Sequence, residues 1–231
     1  MACDMFFNDL ECAREMFDTV LPLLQQKDDS RRKKIDDITA NLKALDKSKI
    51  DKEKLLADLI ALVEAVRKLD RASEMFQKNA VVILLSRYDQ FLGDVFRVMY
   101  RSHPERLQAS ENTLSYTDLQ QVKDIEDAIN KIIDKEVDTT LRHSHIDKLT
   151  YLDKQLKLNL GQYFQDRSEF IELIERRHLY AHSGGKVVPQ YLETCRKNNV
   201  TLPDKVTIGS RLLVSPAYFH KGVDTVQFLG L

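Results

Sequence analysis

Apolar side chains recur at steps of three and four residues along most of the chain, which is the spacing of an amphipathic helix. Residues 4–26 predict a first helix, which ends in a polar break at Lys27–Ser30. Two further apolar stripes within residues 31–75 indicate a helical pair with a coiled-coil-like seam and a break near Asp46–Asp51. The N-terminal part of the chain is therefore predicted to be helical.

The segment Ala80–Tyr100 is the most apolar helical stretch of the sequence. Its apolar residues cover most of a helical wheel, which predicts a helix at the centre of the fold. Ser102-His-Pro104 predicts its end, because the residue before a proline disfavours the helical conformation. After a polar loop, Thr117 is predicted to cap a helix that continues to Ile133.

The remaining residues predict short elements separated by turns. Asp166–Glu169 resembles a capping box and Ser183-Gly-Gly185 is typical of a helix C-terminus, so a helix is predicted between them. Ser215-Pro216 predicts the start of a last helix. The other predicted elements are a helix over Ile146–Leu160 that stops at Gly161, a helix over Pro189–Asn199, and a small hairpin over Lys205–Val214 around Gly209.

The composition favours an all-α protein. Only 7 of the 231 residues are Gly and 5 are Pro, while 43% are hydrophobic and 31% are charged, as in a folded soluble protein. We therefore expect a helical bundle over residues 76–231, preceded by a helical extension over residues 1–75. The net charge of -1 indicates that any contact with nucleic acid is local, through a small cluster of Arg and His.

The cysteines and the termini indicate the cellular compartment of the protein. Cys3, Cys12 and Cys195 lie far apart and show neither zinc-ligand spacing nor a disulfide framework, so we expect a reducing cytoplasm. The acidic N-terminus has no basic lead-in and predicts no signal peptide. Apolar runs such as Ala80–Leu85 are too short to cross a bilayer, so no membrane contact is expected. The chain ends in Phe228-Leu-Gly-Leu231 on an apolar helical pattern, which is typical of a piece of a longer protein.

One arginine in the helix before the Gly-Gly turn is the first candidate for chemistry. On a wheel at about 100° per residue, Arg177 falls inside the apolar arc, His178 lies beside it and Arg176 points away. Burying an unpaired charge is costly, so the position of Arg177 in the apolar arc requires an explanation. Two reasons remain open: an ion pair with Asp89 or Asp94 of the central helix, or a face that opens onto a cleft or a dimer seam that receives a phosphate. The apolar arc consists of Phe170, Ile171, Leu173, Ile174 and Ala181.

His182 is the second candidate. It lies five residues beyond Arg177, which corresponds to about 140° around a helix. The two side chains converge only if the helix unwinds near Ser183-Gly-Gly185 or if a second copy of the helix faces the first across a two-fold axis. The alternative is a purely electrostatic role for His182, because a cation is favoured at a helix C-terminus.

These residues resemble the signature of the HEPN superfamily, and in particular of its RiboL-PSP-like and abortive-infection ribonucleases. The family pattern is an Arg and a His separated by four to six residues, usually with a polar residue directly after the Arg. In the segment Glu175-Arg-Arg-His-Leu-Tyr-Ala-His-Ser-Gly-Gly185, Arg177, His178 and His182 fit the pattern with four intervening residues. Counted from Arg176, five residues intervene.

The surroundings of the motif extend the resemblance. The motif lies at the end of a late helix, before a glycine-rich turn, and the apolar stretch Ile83–Leu92 looks like an early core helix of the family. Residues 76–231 are similar in organisation to the family, which implies a HEPN-type helical bundle. Residues 1–75 have no counterpart in this resemblance.

The resemblance implies a metal-independent endoribonuclease that needs no cofactor and acts as a homodimer with one composite site at the interface. On this basis His182 is the general base or acid and Arg177 holds the scissile phosphate. The RNA 2′-hydroxyl attacks the adjacent phosphate, so the products carry a 2′,3′-cyclic phosphate and DNA resists. The implied supporting residues are His178, Arg176 and Tyr180, which contact RNA or orient the site, and Glu175 and Asp89 behind them.

The resemblance also implies a biological role: a toxin or an antiviral-defence effector in the cytoplasm, with RNA such as tRNA as substrate and an antitoxin or sensor protein as partner. Some toxins of the family carry a Tyr, modified by a partner enzyme, at the position of Gly184, so that regulation is not expected here. His143-x-His145 is a poor metal pair, because residues two apart on a helix do not face each other, and no metal is expected.

Two other functions remain open. The first is a non-catalytic HEPN-like helical module that binds nucleotides or proteins through the same dimer surface. In the second, residues 31–75 carry the main function as a coiled-coil sensor or scaffold arm. The basic run Arg31-Arg-Lys-Lys34 suits a solvated helix start better than a phosphate site.

Overall fold

Helices make up nearly all of the regular structure, as the apolar spacing predicts. The computed structural model describes residues 2–44, 52–157, 167–203 and 205–230. Within these ranges the chain forms α-helices, one 3₁₀ helix and no β-strand, so the all-α class is confirmed. The helices are α1 (Ala2–Ala44), α2 (Lys52–Ser102), α3 (Tyr116–Gln120), α4 (Ile125–Leu141), α5 (His145–Leu156), α6 (Arg167–His182), α7 (Pro189–Lys197) and α8 (Pro216–Leu229), with the 3₁₀ helix at Pro104–Ala109.

The helices α1 and α2 pack side by side in opposite directions. Phe6 near the start of α1 stacks on Phe91 near the end of α2, with ring centroids 4.3 Å apart, while Phe17 lies 5.7 Å from Phe76. The first half of α1 therefore belongs to the same core as the apolar half of α2, and the predicted domain boundary at residue 75 falls inside α2. The α1 residues in this core are Phe6, Leu10, Phe17 and Leu21.

The polar break predicted at Lys27–Ser30 is wrong, because α1 runs through it without interruption. The segment contains neither Gly nor Pro, and Arg32 Nε donates to Asp28 Oδ2 at 2.6 Å across one helical turn. Arg32 also donates to both carboxylate oxygens of Asp70 at 2.8 Å, which ties α1 to α2. The predicted break near Asp46–Asp51 lies outside the described residues.

The apolar half of α2 lies at the centre of the fold, as predicted for Ala80–Tyr100. It packs against α1, α4, α6 and α8. Tyr88 meets Phe170 of α6 edge to face, with ring centroids 5.5 Å apart. Gly93 lets α4 approach closely, because a Cβ at that position would lie 3.2 Å from Leu141 Cδ1. The buried α2 residues in this stretch are Ala80, Val81, Leu84, Leu85, Tyr88, Phe91, Leu92, Phe96, Met99 and Tyr100.

The helix predicted over residues 117–133 is divided into α3 and α4. The Ser115 hydroxyl caps α3 by accepting a hydrogen bond from the Asp118 N–H at 3.1 Å, and the Asp124 carboxylate caps α4 through the Asp127 N–H at 2.8 Å. Short polar side chains thus offer the backbone two separate helix starts where the apolar spacing alone suggested one helix.

The last two helices begin where the sequence predicts. Pro189 is the first residue of α7, and the Ser215 hydroxyl caps α8 by accepting a hydrogen bond from the Tyr218 N–H at 3.1 Å. Both starts depend on local signals, namely a proline at the first helical position and a serine cap. The helix predicted over Ile146–Leu160 is too long, because the helix ends at Leu156 and Lys157 takes a left-handed φ of 56°. The boundaries predicted at Gly161 and Asp166 lie outside the described residues.

The hairpin predicted over Lys205–Val214 does not form. Instead, this segment pairs with the chain directly after α6: Lys186 and Arg211 form an antiparallel bridge, and the Leu212 N–H donates to the Gly185 carbonyl at 3.0 Å. The alternation of apolar and polar residues reflects burial of Leu212 in a second, smaller core beside α6. That core consists of Leu179, Val187, Tyr191, Cys195 and Leu212.

We predict that Phe17→Ala lowers the free energy of unfolding by about 3–5 kcal/mol, because the truncation leaves a cavity in the main core. Phe17 is fully buried and stacks on Phe219 of α8 at 4.1 Å. Urea denaturation followed by circular dichroism measures the loss. The matched control is Met16→Ala at an exposed neighbouring position, which should change stability little. Equal unfolding midpoints for both variants would mean that α1 is not part of the cooperative core.

Candidate functional site

The helix α6 carries the predicted motif and lies between the two hydrophobic cores. Its first half contributes Phe170, Leu173 and Ile174 to the main core, and Leu179 belongs to the second core. The buried face of α6 therefore changes along its length. This change decides which of the two motif arginines is exposed.

Arg176 is the buried arginine of the motif, with 8% of its surface exposed. Its Nε donates to Glu172 Oε1 at 2.7 Å, its Nη1 donates to the Leu213 carbonyl at 3.3 Å, and its guanidinium carbon lies 4.0 Å from the ring centroid of Tyr218. The wheel-based prediction that Arg176 points away from the core is wrong, whereas Arg177 is half-buried. Elements that follow α6 in the chain cover the side of the helix opposite the apolar arc.

Glu172 holds this network together. Its Oε1 accepts a hydrogen bond from the Tyr191 hydroxyl and its Oε2 accepts one from the Tyr218 hydroxyl, each at 2.7 Å. Burial, followed by the Glu172 charge, raises the pKa of Tyr218 well above its usual value, so Tyr218 donates as a neutral phenol. Arg176 therefore fixes α6 against α7 and α8, and the RNA-contacting role that the resemblance implies for it is corrected.

Tyr180 is also part of the core and not of an RNA-binding surface. It is 9% exposed, and its hydroxyl has no hydrogen-bond partner among the described residues. Burial raises the pKa of Tyr180 to about 12, although the charge of Arg176 acts in the opposite direction. Because its side chain is buried, Tyr180 is not available to contact RNA, so the supporting role implied for it is corrected as well.

Arg177 lines a cavity of about 530 Å³ between α6 and the corner of α4 and α5. Its Nε is buried and has no hydrogen-bond partner among the described residues. Asp89 lines the same cavity but accepts a hydrogen bond from Lys148 Nζ at 2.6 Å, and Asp94 pairs with Arg97 at 3.1 Å. Neither ion pair predicted for Arg177 is formed, which leaves the cleft-facing alternative.

Asp89 is the charged centre of the cavity wall. Burial alone raises the pKa of Asp89, but His145 and Lys148 outweigh burial and hold the pKa below its usual value, so the carboxylate is charged at neutral pH. His145 Nε2 lies 3.2 Å from Asp89 Oδ1 without the alignment of a hydrogen bond. His145 and Lys148 are 8% and 2% exposed, so both are largely buried residues of the cavity wall.

The cavity brings together some of the predicted site residues. Arg177, His178, Glu175 and Asp89 all line it, and His178 Nδ1 lies 3.7 Å from Glu175 Oε1. Residues that the sequence analysis did not place at the site also line it, among them Arg142, His143, His145 and Lys148. Their sign in the sequence is His143-x-His145 followed by Lys148. This spacing does not suit a metal pair and does not by itself indicate a cavity.

His182 is not among the residues that line the cavity. It is exposed at the last position of α6, which remains helical to that point. The unwinding occurs afterwards, where Gly184 and Gly185 take φ values of 59° and 84° and the Gly185 N–H donates to the Leu179 carbonyl at 2.9 Å. Within one chain, Arg177 and His182 are therefore about 7.5 Å apart along the helix axis and about 140° apart around it.

Comparisons of the chain with protein-family models, with curated proteins and with solved structures find no match. The site is therefore interpreted from its own geometry. Within the described ranges, no group of three or more His, Cys, Asp or Glu side chains is arranged to hold a metal ion. None of the helices in those ranges is both long and apolar enough to span a bilayer.

We predict that Glu172→Leu lowers the free energy of unfolding by about 3–5 kcal/mol, because it leaves the buried Arg176 charge without its carboxylate. The matched control is Glu193→Leu on α7. Glu193 pairs with Lys197 at the same i, i+4 spacing, but this pair is exposed to solvent, so its loss should have little effect. Chemical denaturation of both variants measures the difference.

The double variant Glu172→Leu/Arg176→Met should be clearly more stable than Glu172→Leu alone, because an apolar pair replaces the isolated charge. If Glu172→Leu and Glu193→Leu lose the same small amount of stability, then the buried pair does not anchor α6.

Proposed function

We propose that the protein is a metal-independent endoribonuclease whose composite site forms between two copies of α6. The proposal rests on Arg177, whose half-buried side chain lines a cavity and has a buried Nε that no described residue satisfies. A guanidinium binds phosphate well, because it donates two parallel hydrogen bonds. Arg176 is engaged by Glu172, so Arg177 is the motif arginine that stays available for a substrate.

The exposed end of α6 supports a dimeric arrangement. His182 and Ala181 are exposed, although Ala181 lies on the arc that the helical wheel assigned to the core. Because α6 is helical through His182, unwinding of the helix does not bring His182 to Arg177. A second α6 related by a two-fold axis would cover the open arc and supply its His182 to the Arg177 of the first chain.

In the proposed reaction, the RNA 2′-oxygen attacks the adjacent phosphorus and the bond from phosphorus to the 5′-oxygen breaks. His182 of one copy accepts the proton of the 2′-hydroxyl and, once protonated, donates it to the leaving 5′-oxygen. Arg177 balances the charge that develops on the phosphate oxygens. The products are a 2′,3′-cyclic phosphate and a 5′-hydroxyl, without any metal ion.

The likeness of the α6 motif to HEPN ribonucleases extends this proposal to a biological role. We propose that the protein acts as a toxin or antiviral-defence effector in the cytoplasm, with tRNA as a candidate substrate and an antitoxin or sensor protein as its inhibitor or trigger. The near-neutral net charge of -1 agrees with an enzyme that binds RNA through a local site.

We predict that His182→Ala and Arg177→Ala each lower the rate of RNA cleavage by at least about 100-fold, because proton transfer and phosphate stabilisation each contribute at this level. Cleavage of end-labelled RNA is measured in the presence of EDTA, and the products are tested for a 2′,3′-cyclic phosphate. The control is His220→Ala on α8, a histidine that pairs with Asp18 and should leave the rate unchanged.

Cleavage that depends on added metal, or equal rates for the wild type and His182→Ala, would contradict the proposed mechanism. A stable dimer that binds RNA and leaves it intact would favour the non-catalytic binding module. A substrate with a single 2′-deoxy nucleotide at the cleaved position should resist, because it lacks the attacking oxygen.

We also predict that mixing the inactive Arg177→Ala and His182→Ala proteins restores cleavage. In a heterodimer, one chain keeps His182 and the other keeps Arg177. The two chains together therefore supply both groups to one site at the interface. Heterodimers are isolated through two different affinity tags, and their rate is compared with that of each homodimer. Isolated heterodimers with no activity would mean that both groups must come from the same chain.

A further inference from the structure

The cavity beside Arg177 is lined by more positively charged side chains than negatively charged ones. Three permanent cations line it, Arg142, Lys148 and Arg177, against two carboxylates, Asp89 and Glu175. Asp89 is occupied by Lys148, whose Nζ donates to it at 2.6 Å. Among the described residues, neither Arg142 nor Arg177 has a carboxylate partner.

Buried polar atoms without a hydrogen-bond partner also line this cavity. Nε of Arg177 makes no hydrogen bond to a described residue, and Nε2 of His145 lies 3.2 Å from Asp89 Oδ1 but out of line for a hydrogen bond. Such atoms are rare in folded proteins, and a ligand is one of the groups that satisfy them. The start of α5 at His145 also lies at the cavity, where the helix dipole adds positive potential.

Apolar side chains line the cavity together with the cations, and the cavity volume of about 530 Å³ is in the range of small-ligand sites. A bare anion would use only the cationic side chains. A nucleotide would use both kinds, because its phosphate is anionic and its sugar and base offer flat, largely apolar surfaces. The apolar lining residues are Leu141, Ile146, Ile171 and Ile174.

We propose that this cavity is the subsite for the nucleotide next to the cleaved phosphodiester, with its phosphate held by Arg142, His145 and Lys148. The inference rests on the proposed ribonuclease function, because Arg177 and His178 are shared between this subsite and the cleavage site. The ligand chemistry is that of a nucleoside monophosphate. The α4–α5 corner thus determines how the RNA strand is positioned, while α6 carries the reacting groups.

The test uses the full chain and three probes: AMP, inorganic phosphate and adenosine. Titration calorimetry at low salt should show that AMP binds at least roughly tenfold more tightly than inorganic phosphate and that adenosine does not bind at the same concentrations. Arg87→Gln, on the exposed surface of α2 and not among the residues that line the cavity, should bind AMP like the wild type. Equal affinities for AMP and phosphate, or no binding of AMP, would overturn the inference.

Proton NMR of the imidazole groups locates the bound nucleotide. The signals of His143, His145 and His178, which line the cavity, should shift when AMP is added. The signals of His103 and His220, which pair with Glu105 and Asp18 elsewhere in the chain, should not shift. Shifts confined to His103 or His220 would place the nucleotide outside the proposed subsite.

The key variant is Arg142→Gln, whose exposed side chain can be changed without disturbing the core. It should weaken AMP binding roughly tenfold, as expected for the loss of a charged hydrogen bond. It should also raise KM for RNA with little change in kcat. For an uncleavable 2′-O-methyl RNA, the slope of log Kd against log salt should fall by about 0.7. The control is Arg87→Gln on the exposed surface of α2.

The outcomes separate this inference from the proposed function. If AMP binds and Arg142→Gln weakens this binding while RNA stays intact, the subsite is supported and the proposed cleavage reaction is contradicted. If RNA is cleaved through His182 but Arg142→Gln leaves AMP affinity, KM and the salt slope unchanged, the subsite fails and the chemistry stands. The unfolding midpoint of Arg142→Gln, measured in parallel, verifies that the variant is folded.

Discussion

The buried ion pair between Glu172 and Arg176 sets the rotation of α6 about its own axis. Arg176 and Arg177 are neighbours and therefore differ by about 100° around the helix, so anchoring one of them inside turns the other outward. Tyr191 of α7 and Tyr218 of α8 each donate to Glu172 at 2.7 Å, which means that the same carboxylate also holds the C-terminal helices. Desolvating two charges is costly, and a buried pair is weak support for stability. Its structural effect here is to fix which side of α6 faces the core.

This rotation divides α6 into an internal and an external side. The internal side, with Arg176 and Tyr180, stabilises the junction of the two hydrophobic cores. The external side presents Arg177 and His178 to the cavity, and His182 follows one turn beyond His178. The motif of two arginines and two histidines is therefore not one cluster of equivalent groups. One arginine holds the helix in place, and the other is free for a ligand.

Much of the helical architecture could be predicted from the sequence, because apolar spacing, caps and prolines act locally. The central position of Ala80–Tyr100 and the starts of α7 and α8 are of this kind. The burial of Arg176 was not predicted, because a helical wheel counts only the residues of its own helix. The i, i+4 spacing of Glu172 and Arg176 was a readable sign of an ion pair. Its burial depends on Tyr191 and Tyr218, whose contacts with α6 no local pattern reveals.

Two of the buried polar atoms that lack a hydrogen-bond partner lie at the cavity beside α6. A buried polar atom without a partner costs about 1–3 kcal/mol, and the two such atoms at this cavity are Nε2 of His145 and Nε of Arg177. Folded proteins tolerate such costs mainly where a ligand removes them, so local violations of this kind are expected at functional sites. A phosphate would supply an acceptor to Arg177 Nε and a better-aligned one to His145 Nε2 than Asp89 offers, and binding to the folded state alone would stabilise the protein. Because the groups involved are cations and hydrogen-bond donors, an anion bound to them would lower the cost of their burial, whereas a cation would raise it.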